Sequence, residues 1–285
     1  MRLRTMTMAD IAAGLELSKI AGWNQTTADW ERFLRASPEG CFVVELDGKV
    51  CGTVTTISYE NRFAWVGMVL VDPQHRSKGI GTKLLDAAIK HLDDRKILTI
   101  KLDATPQGKP LYQKLGFVPE YEIERWTLRR TITDLGLAGA RAKYETLAVP
   151  LSDSVVETDH EAFGADRSFL LESLHKSAPE FTMEICNHDV LQGYALVRRG
   201  LFADHLGPWM AKNSSSAQHL LELFLTRSRR ETLVVDCLKE NRVAVSLLKS
   251  CGFTCSRWLT RMYRGTNTYP GRPEVLCAIL GPEFG

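Results

Sequence analysis

Between Val69 and Thr82 an apolar strand pattern stops at Asp72-Pro73, and a polar turn through Arg76, Ser77 and Lys78 leads to Gly79 and Gly81, which open a helical pattern. Such a turn can aim consecutive backbone N–H groups at one point. The helix N-terminus adds partial positive charge, and glycine lets an anion approach the backbone closely. Arg76 and Lys78 place full charges beside those amides. The chemistry that suits this arrangement is pyrophosphate binding. A Walker A loop fits worse, because Gly-x-x-x-x-Gly-Lys-Ser/Thr is absent here. A dinucleotide fingerprint needs a third glycine or alanine where Leu84 stands, and glycines directly after the strand. On its own, Gly-x-Gly is also satisfied by an ordinary tight turn.

A second motif makes the pattern specific. Arg76-x-x-Gly79-x-Gly81 after a Val-x-Val strand resembles the acyl-CoA pyrophosphate signature of the GNAT N-acetyltransferase superfamily. About 30 residues on, Leu111-Tyr112-Gln113-Lys114-Leu115-Gly116-Phe117 is similar to that superfamily's second hallmark. Ala21 to Gln25, Asp103 to Pro106 and Phe163 to Arg167 further resemble a bacterial tandem-GNAT group. The resemblance covers Met1 to about Thr131 and implies roles for named residues. Val69 and Val71 would lie where two strands splay, freeing backbone groups for the pantetheine arm and one N–H as an oxyanion donor. Arg76, Ser77, Lys78, Gly79, Ile80, Gly81 and Thr82 would hold the pyrophosphate of acetyl-CoA. Tyr112 would protonate the departing thiolate or hydrogen-bond it. The acceptor amine would attack directly in a ternary complex, so no covalent nucleophile is required.

The general base stays open between a carboxylate, a histidine and an ordered water. Asp103, at the end of the strand before the second hallmark, is the candidate carried forward. Glu60 is an alternative, and either carboxylate also reads as a solvated or capping group. His75 reads as a surface residue. Trp23 and Asn24, beside Gln25, lie where this superfamily commonly lines its acceptor pocket, with helix-corner packing as the competing reading.

The elements that must position these residues follow from periodicity. Apolar residues at helical spacing from Met8 to Leu34, broken at Ala21 to Thr26, predict two helices, the second capped by Thr26 or Thr27. Cys41–Leu46 and Val50–Thr56 flank Asp47-Gly48, a hairpin signal. Strands are expected over Ala64–Val71, Ile97–Leu102 and Glu120–Arg130, with helices over Gly79–Leu92 and Lys109–Leu115. This is a mixed α/β pattern.

An offset of 136 residues carries Leu84-Leu85 onto Leu220-Leu221, Leu102 onto Leu238, Leu111 onto Leu247 and Gly116-Phe117 onto Gly252-Phe253. The chain therefore reads as two tandem GNAT-like domains, each a twisted mixed sheet flanked by helices. The expected division is residues 1–135, a linker at 136–150, and a degenerate copy at 151–285. A helix over Asp159–Leu174, a hairpin of Phe181–Cys186 and Leu191–Val197, a helix over Ala217–Leu225, a strand over Thr232–Leu238 and a helix over Val243–Ser250 repeat the earlier order. The second copy lacks the chemistry: Ser215 and Ala217 replace the glycines, Lys212 replaces Arg76, and Leu248 replaces Tyr112. Lys212 to Ser216 reads as a plain helix N-cap, with an anion turn as the competing reading. Asp166 and Arg167 read as an ion pair at a helix start, with a reach to the acceptor as the alternative, and Gly281–Gly285 as a packed tail.

Composition bounds the rest. The 285 residues are 44% hydrophobic and 25% charged, which excludes a disordered chain. Thirty-six Lys and Arg against 34 Asp and Glu leave +2, no electrostatic case for nucleic acid or an acidic membrane. The longest apolar stretch, Ala64 to Val71, is too short to span a bilayer, and Asp10 and Glu16 interrupt any signal-peptide core. Seven cysteines without a Cys-x-x-Cys pair argue against a disulfide framework and a zinc ribbon, and no metal is expected. The expectation is a cytoplasmic monomer or homodimer that acetylates the amine of a small molecule from acetyl-CoA. The alternatives are a non-catalytic acyl-CoA-binding sensor and, disfavoured by the glycine spacing, a dinucleotide-binding protein.

Overall fold

The computed structural model describes residues 1–131 and 151–285, and the linker expected at 136–150 lies outside the described residues. The described residues form two compact units whose membership interleaves along the chain. The first comprises Met1–Glu120, Arg261–Tyr269 and Pro282–Gly285; the second comprises Tyr121–Thr260 and Pro270–Gly281. The division at 1–135 and 151–285 treats each half as contiguous, whereas each unit here contains a segment from the other half.

In the first unit, β1 (Arg2–Thr5), β2 (Phe42–Leu46), β3 (Lys49–Tyr59), β4 (Phe63–Val71) and β5 (Thr99–Ala104) form a sheet in that order. The last residues of β11 (Thr254–Gly265) lie beside β5. The β2–β3 turn takes left-handed backbone at Asp47 and Gly48, as a tight hairpin with matched strand twist requires. One sheet face carries Ala64, Val66, Ile100 and Leu102 into a core with Leu84, Leu85, Ala88 and Leu92 of α3 (Ile80–Asp94). α1 (Ile11–Ile20) and α2 (Thr27–Ala36) complete the unit with α4 (Lys109–Lys114). Thr26 caps α2: its Oγ1 accepts from the Asp29 amide, and Asp29 accepts in return from the Thr26 amide.

In the second unit, β6 (Val118–Arg129, from Tyr121 onward) pairs with β10 (Thr232–Leu238). β7 (Met183–Asn187), β8 (Val190–Arg199) and β9 (Asp204–Ala211) form an antiparallel set. The helix expected over Asp159–Leu174 is two helices, α5 (Asp153–Phe163) and α6 (Ser168–Ser177). Gly164 in left-handed conformation ends the first of them. α7 (Ser214–Arg227) and α8 (Arg242–Ser250) cover the core face of Leu233, Val235 and Cys237. β12 (Leu276–Ala278) lies between β9 and β10. β1, β9, β11 and β12 were not expected. β9 contains Gly207-Pro208, which reads as a strand breaker, and β12 is too short to show alternation.

Candidate active site

Two neighbouring strands part where the sequence pattern places a cofactor arm. β4 and β5 pair in parallel through Ala64 with Ile100 and Trp65 with Lys101, with no further register partners among the described residues. Beyond them β4 continues to Val71 without β5. On its other side, the β3–β4 register shifts between Thr53 and Thr55, opposite Met68. Met68 takes φ 50°, and its carbonyl accepts a hydrogen bond from Thr53 Oγ1 at 2.8 Å. A non-glycine residue held left-handed costs about 1 kcal/mol or more. Here the bulge bends β4 away from its neighbours' line. Val69 and Val71, both half-buried, stand on the parted segment.

That segment feeds directly into the anion turn. Asp72 Oδ1 accepts from the Gln74 amide, Pro73–His75 forms a single 3-10 turn, and Arg76 Nε donates to the Val71 carbonyl at 3.3 Å. Ser77 (φ 61°) and Gly79 (φ 76°) are left-handed, and α3 starts at Ile80. The first-turn N–H groups of α3 have no partner within the helix. A Cβ on Gly79 would meet nothing within 4 Å, so open space lies over the turn. A cavity of about 520 Å³, lined in part by Gly79, Thr82, Lys83 and Lys90, adjoins it. Left-handed backbone and open space over the turn fit a pyrophosphate. In the adjoining cavity Lys90 is paired with Asp94 at 2.7 Å, and Asp86 stands beside Lys83. His75 Nδ1 stands 3.6 Å from Asp72 Oδ2 and is part of the turn's own scaffold.

Tyr112 sits on α4, with its ring edge-on to Phe117 at 6.0 Å between centroids. A Cβ on Gly108 would lie 3.0 Å from Tyr112 Cε2, so glycine there makes room for the ring. Burial pushes the phenol up to about 12, and the group is therefore a protonated O–H donor at neutral pH. A thiol with a pKa of about 8.5 is the stronger acid. Hydrogen bonding to a developing thiolate thus suits Tyr112 better than complete proton transfer.

On the opposite face of β4, the remaining expected residues have unlike surroundings. Exposure falls along the α1–α2 turn: Gly22 is exposed, Trp23 half-buried, and Asn24 and Gln25 buried. The Asp103 carboxylate is fully buried, and Arg261 Nε and Nη2 donate to its two oxygens at 2.9 Å each. The Arg261 guanidinium also lies over the Trp65 ring, 4.4 Å from its centroid. A carboxylate so clamped is a poor proton acceptor. Asp103 ties the last residues of β11 to β5, and the general base expected there is not placed by this geometry. Glu60 is exposed in the β3–β4 turn, 3.2 Å from Arg62.

Sequence reasoning missed one residue on this face. Gln25 Nε2 donates to Glu283 Oε1 at 2.8 Å, across 258 residues of sequence. The tail carrying Glu283 is fixed by Trp65 Nε1 on the Pro282 carbonyl, Tyr59 OH on the Phe284 carbonyl, and Phe284 stacked on Phe33. The sequence signal was slight: a lone Phe in a polar, glycine-flanked tail.

The second unit lacks these features. Asn213 Oδ1 accepts from the Ser216 amide, an ordinary N-cap at the start of α7. Leu248, in the place of Tyr112, is core. Parallel pairing of β9 with β10 runs from Asp204 to Leu206, and β12 then inserts between the two strands. The gap that stays open in the first unit is filled by the chain itself. Arg167 pairs with Asp159 at 2.8 Å and Asp166 Oδ1 accepts from the Ser168 amide, so both are structural. Among the described residues no cluster is arranged to hold a metal ion, and no helix is long and apolar enough to cross a membrane.

Comparison with known proteins finds one family in two stretches of the chain. A model of the acetyltransferase (GNAT) family matches residues 13–117, and one of an acetyltransferase (GNAT) domain matches 155–278. The chain is 27% identical over 265 residues to a holothin acyltransferase of a Pseudoalteromonas species, covering 92% of this chain and 87% of that one. A solved candidate acetyltransferase from Pyrococcus horikoshii superposes with a TM-score of 0.81 at 24% identity, over 100% of this chain and 95% of the other. A GCN5-related N-acetyltransferase from Sphaerobacter thermophilus gives 0.64 at 16% identity, over 95% and 96%. At those identities the two structures speak for the fold.

Proposed function

Because the chain belongs to the GNAT acetyltransferase family and carries that domain twice, we propose that its first unit transfers an acetyl group from acetyl-CoA to the amine of a small molecule. The observation that carries this reading is the continuity of three features on one strand. β4 parts from β5, runs into the left-handed turn at Ser77 and Gly79, and ends at the N-terminus of α3. Acetyl-CoA, when bound, supplies an activated thioester. Backbone groups of Val69 and the Val71 N–H hold the pantetheine arm and polarise the carbonyl, while the Val71 carbonyl accepts from Arg76 Nε. Arg76, Lys78 and the amides of Ser77 to Thr82 hold the pyrophosphate. Trp23 and Asn24 wall the acceptor side. The acceptor ammonium gives one proton to water and the free nitrogen attacks directly in a ternary complex: an N–C bond forms and the C–S bond breaks. The nitrogen's surplus proton passes through water to the departing thiolate, and Tyr112 donates a hydrogen bond to that sulfur. Asp103 is assigned to the clamp with Arg261.

The experiment is a thermal-shift titration followed by turnover. Acetyl-CoA at 100 times its dissociation constant stabilises by about 2.7 kcal/mol, and NAD is expected to give no shift. Acceptor-dependent thiol release then separates an enzyme from an acyl-CoA-binding module. Tyr112→Phe is expected to lower turnover tenfold or more with the acetyl-CoA shift retained. Unchanged turnover removes Tyr112 from the mechanism.

A further inference from the structure

The second unit contains a basic cavity of about 340 Å³, lined by Phe181, Arg199, Asp204, Arg227, Arg229 and Arg230. Arg199 ends β8 and Asp204 opens β9; they are register partners and so share a sheet face. Arg227 ends α7, and Arg229 and Arg230 lie in the loop that leads to β10. The cavity therefore sits at the end of β9 away from the start of α7, where the repeat would carry its cofactor turn.

The arginine loop is held by other groups. Arg130 donates to the carbonyls of Leu225, Ser228 and Arg230 at 2.8, 3.1 and 2.9 Å, which serves the end of α7. Ser228 Oγ accepts from the Arg230 amide at 3.2 Å and so gives its proton to Asp204 Oδ2, 2.7 Å away. None of these bonds uses the guanidinium of Arg227, Arg229 or Arg230. In the first unit the same connection, from α3 to β5, follows an acidic helix end, Asp93-Asp94. The fold itself does not require arginines here. Arg199 pairs with the Glu180 carboxylate, and Arg227 Nη1 donates to the Glu180 carbonyl at 2.9 Å. Four guanidiniums thus stand against two carboxylates, Asp204 and Glu180, and the surplus suits a dianion.

Asp204 decides which dianion fits. The residue is 3% exposed, Oδ2 is taken by Ser228, and Oδ1 accepts no hydrogen bond among the described residues. Arg230 Nε covers Oδ1 from 3.7 Å, beyond hydrogen-bond reach, and its side chain is half-exposed. That side chain can turn onto an anion and leave Oδ1 to a proton that the anion itself carries. Burial raises the Asp204 carboxyl above its ordinary 3.8, which makes it a better acceptor. A tetrahedral oxyanion with one O–H satisfies Oδ1 while its other oxygens face guanidiniums. An oxyanion without a proton sets lone pair against lone pair there.

We propose that this cavity is a phosphate site, in which Arg229 and Arg230 hold the oxygens of a hydrogen phosphate group and Asp204 accepts its proton. Free phosphate and a phosphate monoester both offer that group.

The test is isothermal titration calorimetry of the full chain at constant ionic strength and about pH 6.5, where a monoester is still partly protonated. The probes are inorganic phosphate, ribose 5-phosphate and sulfate, with saturating CoA present to occupy the turn at Gly79. One phosphate per chain is expected, with sulfate at least tenfold weaker. Arg229 is exposed, and Arg229→Gln is expected to weaken phosphate about tenfold without lowering the melting temperature. The acetyl-CoA thermal shift of that variant should stay at the wild-type value. Asp204→Asn, with its carbonyl held by Ser228, turns an N–H to the anion and is expected to bring sulfate within threefold of phosphate. If that variant does not fold, Arg229→Gln and the wild-type preference over sulfate carry the test. Tighter binding of ribose 5-phosphate than of phosphate assigns an ester as the ligand, and weaker binding assigns free phosphate. No heat from either, sulfate equal to phosphate in the wild type, or phosphate binding unchanged in Arg229→Gln overturns the proposal.

Discussion

Asp103 and Glu283 are both buried carboxylates on the same side of the first unit, and their partners differ. Asp103 faces a bidentate guanidinium, which neutralises it. Glu283 accepts a hydrogen bond from the Gln25 amide at 2.8 Å. Removing one member of a buried ion pair strands the other charge and costs about 3–5 kcal/mol. Asp103→Asn and Arg261→Met are each expected to lower stability by about that much in urea unfolding. The double variant should lose less than the sum of the two, since neither charge is then stranded. An Asp103→Asn protein of wild-type stability with abolished turnover would return Asp103 to the chemistry. Residue type and strand position could propose Asp103 as a base. They could not reveal Arg261, whose approach depends on a strand 158 residues further on.

The elements show where periodicity suffices and where it fails. The hairpin at Asp47-Gly48, the cap at Thr26 and the helix after Gly79 are local features, written in neighbouring residues, and all were legible in the sequence. The Met68 bulge and the parting of β4 from β5 are pairing features and leave no local mark. The turn before α3 gives a test at this scale. Gly79→Ala places a methyl group in open space, so the unliganded fold bears only the left-handed strain of about 1–2 kcal/mol. The methyl group would then compete with the pyrophosphate. The expected result is a small drop in melting temperature with the acetyl-CoA shift greatly reduced, read by the same thermal titration.

At the scale of the chain, the two repeats differ in what fills the gap between their parallel strands. β12 lies between β9 and β10, so calorimetric titration is expected to find one acetyl-CoA per chain; two equivalent sites would contradict that assignment. The second unit also carries a pH dependence. His205 is fully buried, with Nε2 3.0 Å from Asp236 Oδ2 and Arg198 Nη2 3.2 Å from Nδ1. Burial lowers its pKa below the ordinary 6.5, even though Asp236 pulls the other way. The folded chain therefore keeps His205 neutral at a pH where the unfolded chain is protonated. Its contribution is complete above about pH 6.5 and declines as pH falls below that. His205→Gln is expected to flatten that part of the stability profile between about pH 5 and 7, measured by urea unfolding. The duplication was legible because leucines and a Gly-Phe pair keep one register over 136 residues. The exchange of segments was not, because a strand's partner is absent from its own sequence.

That exchange sets the order of events during synthesis. β5 has β4 on one side, and its other side is completed by residues of β11 that begin at Arg261. Between Ala104 and Arg261 a ribosome working at about 5–20 residues per second spends roughly 8–30 s. Throughout that interval the nascent first unit carries an open strand edge, the feature that templates aggregation between chains. Slower translation of residues 105–260 is therefore expected to lower the yield of folded chain, read as the soluble fraction after expression.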